Sequence, residues 1–87
     1  MTTTEPRPTV EQLSSWLTVK VAEYTETSSE SISATARFTE FGLDSVCALA
    51  LCGDIEDYLD IRLEPTVVWD HPSVDALARH LAGMLNA

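Results

Sequence analysis

The chain predicts an all-α domain, a small four-helix bundle of three longer helices and one short helix, with a long loop between helices 1 and 2. Three observations predict it. Apolar residues recur at spacings of three and four in three separate stretches, each stretch opens on a residue suited to cap a helix, and none alternates as a strand would. The 87 residues suffice for one domain. Folding a chain of this size buries only roughly two-thirds of the surface it exposes unfolded, so the core is modest. Little room remains for a catalytic pocket and a scaffold to hold it.

Residues 1–8, rich in Thr and Pro, read as a disordered leader, which leaves 9–87 as the domain proper. Thr9-Val10-Glu11-Gln12 fits a capping box, with Thr9 as N-cap and Gln12 reaching back. Val10, Leu13, Leu17, Val21 and Tyr24 then form one stripe, with Trp16 at its edge, and predict a first helix over 9–24. Thr25 to Ser31 is polar and loop-like. The connection runs on to Asp44 with scattered anchors at Ile32, Phe38, Phe41 and Leu43. A loop that long in so small a domain tends to be functional. Gly42 can supply a positive φ where the chain turns into the next element.

The second helix begins at Asp44 or Ser45, both good N-caps. Ala48, Leu51, Cys52, Ile55 and Leu59 line its core face. Pro65 ends regular structure, and Thr66 to Asp70 form one short helical turn that buries Val67, Val68 and Trp69. Ser73 caps a last helix with its stripe at Val74, Leu77, Leu81 and Met84 or Leu85. The chain contains no internal repeat.

Fourteen Asp and Glu stand against five Lys and Arg, a net charge of −9. That field repels nucleic acid and anionic membrane surfaces and attracts basic protein patches, although solubility alone would also account for it. No apolar run approaches the roughly 18 residues a membrane span needs, and the N-terminus lacks the apolar region of a signal peptide. On a helix, five residues turn Cys52 about 140° from Cys47, so the two cannot pair. Two free thiols suit a reducing cytosol, and a cytoplasmic location is expected.

The informative stretch is Phe41-Gly42-Leu43-Asp44-Ser45-Val46, preceded by Phe38-Thr39-Glu40. It resembles the phosphopantetheine attachment motif of acyl carrier proteins, Gly-x-Asp-Ser followed by Leu or a similar residue. Some twenty residues on, Pro65 to Val74 is similar to the third-helix signature of polyketide synthase carrier domains, and Leu77-Ala78 and Leu81 match the final helix. The resemblance spans roughly residues 10–85. It implies a 4'-phosphopantetheine arm joined covalently to Ser45 by a phosphopantetheinyl transferase, with Asp44 in support. It further implies a non-catalytic carrier that holds acyl or polyketide intermediates as thioesters for a loading enzyme, a ketosynthase and other synthase domains. A monomer is expected. Trp69 takes the place of a Phe often found in the family and is expected as a core anchor. Val46 replaces the more frequent Leu.

The residues support this independently. A serine at a helix N-terminus places a phosphodiester at the positive end of the helix dipole. Read alone, Ser45 would merely cap the helix; the flanking signatures are what weigh against that. Asp44 has two compatible readings, a cap and a group that orients the modifying enzyme and its metal. Ser45 itself is not an activated nucleophile. Activation needs an adjacent base, His71 and His80 lie far along the chain, and the Gly-x-Ser-x-Gly elbow of hydrolases is missing. The Cys and His spacing is not a metal pattern, so no metal site is expected.

A helical wheel over 45–60 sets Val46, Ala50, Gly53 and Asp57 opposite the core stripe, flanked by Leu49, Glu56 and Asp60 on one side and Asp54 on the other. The acids Asp54, Glu56, Asp57 and Asp60 crowd the C-terminal half, where the macrodipole disfavours them. Val46, Leu49, Ala50, Gly53, Asp54, Glu56 and Asp57 are therefore the candidate partner-binding face. The rivals are a peptidyl carrier domain of nonribosomal synthesis and a helical interaction module without a prosthetic group. Gly42-Leu43-Asp44-Ser45 favours the acyl type, since peptidyl carriers usually show Gly-Gly-x-Ser.

Overall fold

A computed structural model describes residues 8–86. The leader expected at 1–8 therefore lies, Pro8 apart, outside the described residues. The described residues form four α-helices: α1 (Val10–Thr25), α2 (Ser45–Leu59), α3 (Val67–Asp70) and α4 (Val74–Leu85). No strand occurs among the described residues. The predicted bundle of three longer helices and one short one is the observed architecture.

Each long helix starts where a short polar side chain can take an unpaired backbone N–H. The Gln12 N–H donates to Thr9 Oγ1 at 3.1 Å and the Thr9 N–H to Gln12 Oε1 at 2.9 Å, a complete capping box. At α4, the Ala76 N–H donates to Ser73 Oγ at 3.1 Å. The helix ends are less ordinary. α1 and α2 both stop on a non-glycine residue in the left-handed region, Glu26 at φ 57° and Asp60 at φ 55°. The following N–H groups fold back, Thr27 to the Ala22 carbonyl at 2.9 Å and Ile61 to the Glu56 carbonyl at 3.2 Å. That is the Schellman arrangement, which glycine would enter without a Cβ penalty.

The core is one cluster. Leu13, Leu17 and Val21 of α1 meet Val74, Leu77 and Leu81 of α4, and Ala48, Leu51 and Ile55 of α2 close over them. Leu59, placed on the core stripe of α2, is only half buried, as are Val10 and Tyr24 at the ends of the α1 stripe. A stripe stays covered only where a neighbouring helix runs alongside it, and its ends run past that cover. Between α3's two neighbours the correction is larger. Val67 and Val68 are buried, but Trp69, expected as a core anchor, is 37% exposed. Successive residues of a helix point about 100° apart, so one four-residue turn cannot bury three in a row.

The loop of residues 26–44 is ordered. It contains two short 3-10 turns, Ser29–Ser31 and Phe38–Phe41, and buries Ile32, Phe38 and Leu43. Two backbone hydrogen bonds tie it to the start of α4. The Phe38 N–H donates to the Pro72 carbonyl, and the Asp75 N–H, one of the otherwise unpaired donors of α4's first turn, donates to the Ala34 carbonyl, both at 2.8 Å.

A polar clamp closes the seam between α1 and α2. The Tyr24 hydroxyl donates to Asp54 Oδ2, and Lys20 Nζ lies 3.9 Å from the same oxygen. Lys20 also sits 5.6 Å above the Trp16 ring, which stacks on Tyr58 at 4.5 Å. The Asp54 hydrogen bond, with burial behind it, raises the Tyr24 phenol to about 12.

Two outcomes follow from these contacts. Asp60→Gly should raise stability by about 1 kcal/mol, read as a higher urea midpoint at unchanged m, because it relieves a left-handed Cβ clash. Tyr24, with its folded pKa above the ordinary 10.0, stabilises the fold fully below pH 10 and loses that contribution as pH rises toward about 12. An alkaline titration of phenolate absorbance should therefore show a late step that Tyr24→Phe removes. A titration unchanged by the substitution would place the clamp elsewhere.

Candidate functional site

Gly42 ends the second 3-10 turn at φ 82°, a left-handed position, and redirects the chain toward α2. Leu43 is then buried at 3% exposure and fixes the segment to the core. Asp44 follows in extended conformation and caps α2, its Oδ1 accepting the Cys47 N–H at 2.8 Å. That N–H, aided by the Cys47 side chain, holds the Asp44 carboxyl below its usual range. The Asp44 carboxylate in turn pushes the Cys47 thiol up.

Of the two candidate caps, Asp44 takes the role, so Ser45 is the first helical residue rather than the cap. Its side chain is exposed, and it makes no side-chain hydrogen bond among the described residues. The helix dipole directs its positive end at this position, which suits a phosphate ester on Ser45 Oγ. The residues present thus fit a phosphopantetheine arm: the hydroxyl is free, reachable and in a favourable field. His71 and His80 stack on each other, at 3.9 Å between ring centroids, where α3 meets α4. No group of three or more potential metal ligands comes together among the described residues.

The outer face of α2 carries Val46 at 75% and Leu49 at 56% exposure, with Ala50 and Asp57 also exposed and Gly53 half buried. The other acids have internal work. Asp54 belongs to the Tyr24–Lys20 clamp, and Glu56 Oε2 accepts the Leu63 N–H at 2.8 Å. Their placement against the dipole, which stability alone did not explain in the sequence, thus has a structural reason at these two positions. Asp60 occupies the left-handed cap. Neither tie was visible in the sequence, since Tyr24 lies 30 residues from Asp54 and Leu63 lies in an irregular segment.

Cys52 Sγ contacts the Pro65 carbonyl at 3.8 Å. Together with the Glu56–Leu63 bond, this shows residues 63–65 running antiparallel to α2 past Glu56 and Cys52. Trp69 adds a further exposed apolar side chain on α3. The signal that could have found it is the length of that helix, too short to hide three consecutive apolar residues. Burial raises the Cys52 thiol, which suits an inert core position.

Comparison with known proteins agrees with this geometry. Residues 15–81 match the family described as phosphopantetheine attachment site. The erythronolide synthase EryA2 of Saccharopolyspora erythraea is 41% identical over 58 residues, which cover 67% of this chain but 2% of that synthase. The acyl carrier protein TtuC of Teredinibacter turnerae is 29% identical over 80 residues, 92% of each chain. A free-standing peptidyl carrier protein from Acinetobacter baumannii superposes with a TM-score of 0.86 at 38% identity, covering 88% of this chain and 96% of the other. The match spans more than half of the sequence and includes the capped serine at the start of α2, and the chain belongs to the phosphopantetheine attachment site family of carrier proteins.

Proposed function

We propose that Ser45 bears the phosphopantetheine arm and that residues 9–87 act as an acyl carrier in polyketide assembly. The observation that carries this reading is the division of labour at α2: Asp44 supplies the cap, which frees the exposed Ser45 hydroxyl. When attached, the arm supplies a terminal thiol that holds the cargo as a thioester. The protein contributes position and recognition, and a phosphopantetheinyl transferase contributes the chemistry of attachment. The Asp before Ser45 and the likeness to a polyketide synthase favour acyl cargo. The likeness to a peptidyl carrier protein keeps aminoacyl cargo as the rival. Loading assays with acyl and aminoacyl donors would separate the two.

Docking falls to the part of α2 that owes nothing to the fold: Val46, Leu49 and Ala50, with Gly53 between them and Asp57 at the rim. Asp54 and Glu56 act first as ties within the bundle, and changing them would confuse recognition with stability. A loading enzyme, a ketosynthase and the transferase are the proposed partners, met by a monomer in the cytoplasm. No described helix is long and apolar enough to cross a membrane.

Incubation with coenzyme A and a broad-specificity transferase should add one arm to the wild type, read by intact mass. Ser45→Ala should add none while keeping its helical circular dichroism, because even a cap is worth only about 0.5–2 kcal/mol and Asp44 keeps that role here. An arm found on the variant would move the site. At the docking face two substitutions should fail differently. Asp57→Lys should slow association and flatten its salt dependence, since rim charges act on encounter. Val46→Asp should raise KM at least tenfold, as a carboxylate forced to shed water costs more than the roughly 1–3 kcal/mol of a neutral polar group. Modification rates across a salt series distinguish them, and identical behaviour would place docking elsewhere.

A further inference from the structure

His71 and His80 have no part in the carrier reading, yet they form the closest aromatic contact among the described residues. Their rings stack at 3.9 Å between centroids with 16° between planes. His71 ends α3, its N–H donating to the Val67 carbonyl at 3.0 Å, while His80 lies in the middle of α4. The stack thus joins the shortest helix of the bundle to a long one. Besides the stack, α3 is held by two buried valines, by its packing on α2 and by the Phe38–Pro72 hydrogen bond just beyond it, but it has only four residues and no side-chain cap. Elements with so few buried contacts open most readily.

We propose that the His71–His80 stack is a pH-sensitive latch that holds α3 on α4 at neutral pH and releases it on mild acidification. Two parallel imidazoles at this distance attract while at least one is neutral and repel once both are charged. The charged groups lining the cavity of about 300 Å³ at the pair are Arg62 and Glu64, from the segment before α3, and Asp70, from α3 itself. α4 contributes Met84 there, and its own Asp75 and Arg79 pair with each other at 3.1 Å. Asp70 favours the charged histidine, but burial and the neighbouring His71 outweigh it and push His80 below its ordinary value. The sign follows. A histidine whose pKa is lowered in the folded state is stabilised as the neutral form, so the contact is complete above the ordinary value of 6.5 and weakens as pH falls below it. Because α3 packs on α2, its release would uncover that side of α2. The latch itself requires no arm.

Amide hydrogen exchange on the unmodified chain tests it. The Asp70 and His71 amides, which donate to Thr66 and Val67, should exchange about tenfold faster at pH 5 than at pH 7 after correction for intrinsic rates, with the α4 amides unaffected. His80→Phe keeps a stacking ring that cannot charge and should abolish the acceleration. Imidazole titration of the wild type by NMR gives a second reading that needs no variant. The His80 ring should titrate below the ordinary histidine range. Titration of His80 at the ordinary value, no acceleration in the wild type, or equal acceleration in His80→Phe would each overturn the latch.

Discussion

The loop between α1 and α2 can present a serine only because it is fastened at its middle. Phe38 is wholly buried, and its amide hydrogen bond to the Pro72 carbonyl ties that point to the turn before α4. From there the chain has a few residues in which to reach α2. Gly42 turns it through a left-handed conformation, Leu43 drops into the core, and Asp44 emerges extended to cap the helix. Each step leaves the next one little freedom. The exposed position of Ser45 is thus set by a backbone contact with residues nearly thirty positions further along the chain. The same junction serves α4, whose first-turn Asp75 N–H finds its acceptor in the loop.

The acidity of the chain looks uniform in composition but is not uniform in role. Asp44 holds a helix start, Asp54 and Glu56 hold seams, Asp60 sits in a strained cap, and Asp57 lies on an exposed face with no partner among the described residues. Surface ion pairs are worth little singly, so the Lys20–Asp54 approach alone would not define the seam. The Tyr24 hydroxyl and the stacked Trp16–Tyr58 rings add direction to it. A docking surface on such a small domain has to be built from residues the fold does not require. Val46 and Leu49 meet that condition through their exposure.

The sequence by itself determined the helices and their starts. Apolar spacing and capping chemistry are local, acting over three or four residues; Thr9 and Ser73 each cap the helix that the pattern assigned to them, and Asp44 is one of the two caps it offered for α2. The Asp44-Ser45 motif was legible for the same reason. Only the tertiary structure decided which of two capping residues would be left free. It also decided which acids would be tied down, that Trp69 would face outward, and that two histidines nine residues apart would meet. These depend on how separate elements come to lie against one another, and no local spacing carries that information. Trp69 shows the difference most plainly. Its composition reads as core, yet a single turn of helix offers the core one side, and Val67 and Val68 fill it.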